Sequence, residues 1–180
     1  REKDEGKLIK SICSSLVTVR GYKSAWILLF DENMNLLNYA SKGTGQEFSL
    51  FIKNIKNGKL PYCCKKALKQ TGIVLASSQE PECSVCPNVK KDTYTESMTI
   101  KLEHNSDILG FLTIKFSSDI KTDEEEQGLL YEVAGDISFA LHNIFLEEER
   151  IYMSQELKAS LERFKILFDY APDAYYLNDL

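Results

Sequence analysis

The stretch 96–116 limits the fold more than any other part of the chain. ESMTIKLE alternates polar and apolar residues through Met98, Ile100 and Leu102, the pattern of a half-buried strand. Residues 105–108, rich in Asn, Ser and Asp, turn the chain, and LGFLTIKF returns as a second strand. Because strand side chains alternate, Phe111, Thr113 and Lys115 share one face of that return strand, and Leu112, Ile114 and Phe116 share the other. This is the strongest hairpin in the sequence.

The remaining elements read as its frame. Leu8, Ile9, Ile12, Cys13, Leu16 and Val17 recur at three and four, so 7–19 is expected as an amphipathic helix. SAWILLF (24–30) is short and continuously apolar, as a buried central strand would be. The turn DENMN leads from it to a partner strand at 36–42. Phe48, Phe51, Ile52 and Ile55 predict a short helix, and a second runs from Pro61 to Gly72, with a short strand at 73–76. For 83–91 no period is evident, although Pro87 suits the start of a helical turn. Thr122 and Glu125 form a capping box before acidic residues 123–126. The helix they open is expected to reach Phe168. Its two apolar phases, one through Leu130, Ala134, Ile137 and Leu141 and one through Leu157, Leu161, Phe164 and Phe168, disagree by one residue across 150–156. An irregularity or hinge is expected there.

Charge and composition remove several function classes. With 22 Lys and Arg against 27 Asp and Glu and no basic stripe, the chain lacks the electrostatic footprint of a nucleic-acid binder. No apolar run approaches the roughly 20 residues that span a bilayer, and no glycine-rich phosphate loop, nucleophile elbow or metalloprotease helix is present. Five cysteines, four of them crowded at 63, 64, 83 and 86, do not form the spread framework of a secreted scaffold. A reducing cytoplasm is expected, with thiols that are free, metal-bound or redox-active. Cys83-x-x-Cys86 lets two thiolates reach one metal, and Cys63 or Cys64 would complete a set. The same cysteines also read as small buried residues, or as a reversible Cys83–Cys86 disulfide.

Taken together, LPYCCKKAL, ECSVCP, the hairpin with Gly110 early in its second strand, and DEEEQGLLYEVAGDISFALHNIFLEEER resemble a GAF domain of prokaryotic multi-domain sensor histidine kinases. The resemblance implies an α+β fold, a central antiparallel sheet flanked by helices, with a long C-terminal signalling helix. It divides the chain into a tail (1–5), a GAF domain (6–146), a coiled-coil linker (147–166) and, at 167–180, the truncated start of a PAS domain, which FKILFDYAPDAYYLNDL resembles. In this GAF subgroup an LPxC element precedes a Cys-x-x-Cys-Pro element, which assigns Cys63, Cys83 and Cys86 as cofactor or metal ligands and leaves Cys64 outside the pattern. Zinc or an iron–sulfur cluster is the implied occupant, with Cys64 or His104 as a fourth ligand, and haem the lesser alternative. His142 is expected on a helix face or dimer contact, and Trp26, Phe30 and Phe111 in the core. The resemblance further implies a non-catalytic, cytoplasmic sensory module, homodimeric through its first and last helices, binding a small-molecule or redox ligand in a cysteine-containing pocket. The alternative is a thiol redox enzyme of the GAF-fold methionine sulfoxide reductase type.

Overall fold

The computed structural model describes residues 2–84, 86, 95–116 and 123–170. Ten elements follow in order: α1 (Glu2–Thr18), β1 (Ser24–Phe30), β2 (Leu36–Lys42), α2 (Phe48–Lys56), α3 (Tyr62–Lys69), β3 (Val74–Ser77), α4 (Pro81–Ser84), β4 (Glu96–His104), β5 (Asp107–Phe116) and α5 (Glu124–Tyr170). They fall into two compact units, Glu2–His142 and the helix from Asn143 onward.

The strands form one five-stranded sheet in the order β2-β1-β5-β4-β3, with every neighbouring pair antiparallel. All seven residues of β1 are buried, as its unbroken apolar run requires of a strand covered on both faces. The β4–β5 connection is tighter than the sequence suggests. Asn105 and Ser106 both have positive φ, 50° and 73°, so a two-residue turn joins His104 directly to its cross-strand partner Asp107. At Gly110 the backbone of β5 passes so close to β1 that a Cβ would be driven into the Leu28 carbonyl. The glycine is there for that close approach.

The sheet separates two cores. On one face Ala25, Ile27 and Leu29 of β1, Leu112, Ile114 and Phe116 of β5, and Met98, Ile100 and Leu102 of β4 meet Ile9, Cys13 and Leu16 of α1 and Leu130, Ala134, Ile137 and Leu141 of α5. On the other face Trp26, Leu28, Phe30, Phe111 and Val74 meet Phe48, Phe51, Ile52 and Ile55 of α2 and Cys64 and Ala67 of α3. Burial of each Val, Leu, Ile, Phe or Met among them stabilises the fold by about 1.5–3 kcal/mol. Tyr22, just before β1, donates its hydroxyl to Glu126 in the first turn of α5, and Arg20 approaches the same carboxylate at 3.3 Å.

Three expectations are corrected. Residues 2–5 belong to α1 instead of a tail, and Glu5, almost fully buried, accepts from Asn38 Nδ2 at 3.1 Å. The α5 helix runs unbroken through 150–156. Its backbone bonds depend on φ and ψ, so a one-residue change of apolar phase does not interrupt them. A further helix of four residues, α4, occupies 81–84, reaching into the stretch from 83 where no period is evident. Pro87, Thr122 and 171–180, which carry the suggested helical turn, half of the capping box and most of the PAS resemblance, lie outside the described residues. At the start of α5, Asp123 Oδ1 accepts from the Glu126 amide at 3.1 Å.

Candidate functional site

Helix α3 places two adjacent cysteines in different surroundings. Pro61 precedes it in extended conformation, a residue that loses nothing by lacking an N–H there. Adjacent residues point about 100° apart on a helix, so Cys64 is fully buried against α2 and the sheet while Cys63 is only partly covered. Cys63 instead faces the inward polar residues of β4 and β5. Among these, Thr99 Oγ1 lies 2.8 Å from Thr113 Oγ1, both hydroxyls buried.

A small cavity of about 40 Å³ opens beside this thiol, lined by Trp26, Tyr62, Cys63, Cys83, Cys86 and Lys115, among others. That is room for a few water-sized groups. Cys83 comes from α4, where its amide donates to the Glu80 carbonyl at 2.9 Å, and the Cys86 amide in turn donates to the Cys83 carbonyl at 3.0 Å. Lys115 arrives from β5, two residues beyond Thr113 on the same face. Trp26, cross-strand from Thr113, stacks obliquely on Phe51 at 5.3 Å, and its buried Nε1–H has no acceptor among the described residues. A larger recess, about 170 Å³, lies against β3 and β4 but is lined only by Leu75, Ala76, Ser77, Glu80, Glu96 and Ser97. Among the described residues it holds no thiol.

Electrostatics distinguish the thiols. The Cys64 S–H, bonded to the Cys63 sulfur, lowers the Cys63 thiol to about 7 against the opposing effect of burial, with Thr99 and the Lys115 ammonium acting the same way. Burial pushes Cys64 well above the usual thiol range, and the neighbouring Cys63 adds to the shift. Cys83 rises to about 11, chiefly through burial. Burial depresses Lys115, while the three cavity thiols oppose that shift.

No family model and no curated protein matches the sequence. Solved structures do match. The domain of a protein assigned as a two-component sensor histidine kinase from Sinorhizobium meliloti 1021 is similar with a TM-score of 0.61 at 14% identity, covering 81% of this chain and 95% of that one. The GAF domain of a phosphoenolpyruvate-protein phosphotransferase from Coxiella burnetii gives 0.58 at 14%, covering 78% and 84%. The chain has the GAF fold. A type II free methionine-R-sulfoxide reductase from Thermoplasma acidophilum is also similar, with a TM-score of 0.55 at 15% identity over 77% of this chain and 93% of that one.

Within this GAF fold, Cys63, Cys83 and Cys86 share one cavity, as the cysteine pattern implies. Neither suggested fourth ligand lines it. Cys64 lies behind Cys63 in the core, and the His104 ring stacks on His142 at 4.0 Å between centroids, 23° from parallel. Sequence separation hides that histidine pair, which forms because the hairpin tip and α5 meet. Among the described residues no three His, Cys, Asp or Glu side chains are arranged to hold one metal ion, and a 40 Å³ cavity is far smaller than a haem. As described, the residues do not fit a bound metal or haem. Sequence reasoning also passes over Lys115, Thr99 and Trp26 Nε1 as parts of the site. The signal was available for one of them: Lys115, together with Thr113, occupies the same face as Phe111 in a strand otherwise apolar.

Proposed function

We propose that this chain is the sensory domain of a multi-domain signalling protein, a cytoplasmic histidine kinase, whose input site is the thiol cavity and whose output is α5. The observation that carries the reading is the gathering of Cys63, Cys83, Cys86 and Lys115 around one small cavity, with Cys63 held near neutrality. Such a thiol is a nucleophile at physiological pH, whereas ordinary buried cysteines are inert. The kinase context rests on the similarity to the Sinorhizobium meliloti domain. A following PAS domain rests on the sequence resemblance of 164–180. Dimerisation is supported by Leu157, Leu161, Phe164 and Phe168, which recur at four, three and four residues and are each at least 60% exposed. The module senses and does not turn over substrate. A change at the cavity shifts the population of states available to α5.

Alkylating the cavity thiols and following amide exchange along Leu130–Leu141 tests this relay. The reading expects altered protection in that segment, and an unchanged exchange pattern on full Cys63 modification would refute it.

Two other occupants are distinguishable. A zinc ion or iron–sulfur cluster would require Cys63, Cys83 and Cys86 to be drawn together, and metal analysis of anaerobically purified protein decides that case. The fold likeness to a methionine sulfoxide reductase makes turnover of free methionine sulfoxide with a thiol reductant the second reading. An assay of methionine formation from the free sulfoxide decides that case.

A further inference from the structure

Three thiols and an ammonium converge on a space for only a few heavy atoms, and it is lined as well by Trp26, whose buried Nε1–H has no acceptor among the described residues. A buried donor without a partner is costly to keep, and a ligand bearing a small acceptor atom would satisfy it. The thiols suit an electrophile. The volume suits a small one.

We propose that the cavity takes hydrogen peroxide or a comparably small hydroperoxide, with Cys63 as the attacking thiol and Cys83 or Cys86 as the resolving one. This rests on the reading of the cavity as the input site and supplies its chemistry. The Cys63 thiolate attacks one peroxide oxygen, so that an S–O bond forms as the O–O bond breaks. Sulfur is oxidised by two electrons to Cys63 sulfenic acid, and the departing hydroxide takes a proton from the Lys115 ammonium to leave as water. The Trp26 Nε1–H donates to a peroxide oxygen and orients it. The thiol of Cys83 or Cys86 then attacks the sulfenic sulfur, an S–S bond replaces the S–O bond, and a second water carries away the thiol proton. Lys115 regains its proton from solvent. One hydroperoxide and two thiols become one disulfide and two waters (or, for an organic hydroperoxide, one water and the alcohol). Cys13, buried on the opposite face of the sheet, takes no part.

The test is peroxide titration of the reduced chain, with dimedone trapping and peptide mass spectrometry. At about one equivalent of peroxide, the Cys83→Ser/Cys86→Ser variant should accumulate a Cys63 sulfenic adduct and the parent chain a disulfide from Cys63 to Cys83 or Cys86, with Cys13 and Cys64 remaining thiols. In Trp26→Phe, checked for folding by circular dichroism, peroxide oxidation of Cys63 should slow about tenfold, from loss of one donor, and by more than iodoacetamide alkylation does. Equal slowing of both reactions would remove the assigned role of Trp26. A Cys63 thiol that survives excess peroxide, or a Cys83–Cys86 disulfide forming equally fast in Cys63→Ser, would overturn the proposal. The exchange experiment uses alkylation instead of peroxide, so either idea can fail without the other.

Discussion

The two faces of the sheet carry the same residue type to opposite ends of thiol chemistry. Cys13 lies between α1 and the sheet, fully excluded from solvent, and burial pushes its thiol up to about 12. Cys63, packed on the other face, is held at about 7 by the Cys64 thiol and its neighbours. The difference comes from what the strands turn inward. Toward α1 and α5 they present Ile27, Leu29, Leu112, Ile114, Met98 and Ile100. Toward α3 they present Thr99, Thr113 and Lys115 beside Trp26. One face is packed hydrocarbon. The other gives up some apolar contact to hold polar groups around a cavity, a concession expected at a functional site.

The seam between the two faces is where the largest effect is expected. Gly110→Ala forces a methyl into the Leu28 carbonyl where β5 passes β1, the two strands that carry both cores. Urea unfolding should show a loss of about 4 kcal/mol, near the upper end for single substitutions. A loss under about 1 kcal/mol would mean that the strands separate easily and that the two faces are less tightly coupled.

A smaller effect belongs to the α1/α5 face alone. Tyr22→Phe removes the hydroxyl bonded to Glu126 and should lower stability by about 1 kcal/mol, the usual worth of such a bond at a partly screened site. Cys63 alkylation should be unchanged. If it changed, the sheet would not isolate the two faces.

The smallest stability effects but the most specific chemical ones are expected at the cavity. Cys64→Ala removes the thiol that does most to acidify Cys63 and should move the midpoint of its alkylation profile up towards the ordinary thiol value. Lys115→Met should move it in the same direction by less, since the ammonium acts only through space. If the order is reversed, charge and not the thiol–thiol bond sets Cys63 apart.

Much of the frame was legible in the sequence, because periodicity is a local property. The bounds of β1 and β2 follow from an unbroken apolar run and its turn, and the facing of Phe111, Thr113 and Lys115 follows from alternation alone. The shared cavity of Cys63, Cys83 and Cys86 was legible only through a spacing pattern. Helix α4 was not, since four residues hold too little of a period to detect. Nor was the stacking of His104 on His142, a contact between elements 38 residues apart. The unbroken α5 shows the converse limit. A shift in apolar phase describes which side of a helix meets a partner, and the backbone passes through it unaffected.

The most direct measurement is the pH dependence of iodoacetamide alkylation, resolved by site, at Cys63 and Cys13 in the folded chain. Only the thiolate reacts, so the rate at each site rises with pH through its own midpoint. Cys63 should be half-maximal at about 7 and flat by about 9, while Cys13 stays unreactive throughout. A Cys63 rate still climbing beyond pH 9, or a Cys13 rate comparable to it, would contradict the division of the molecule into an inert face and a reactive one.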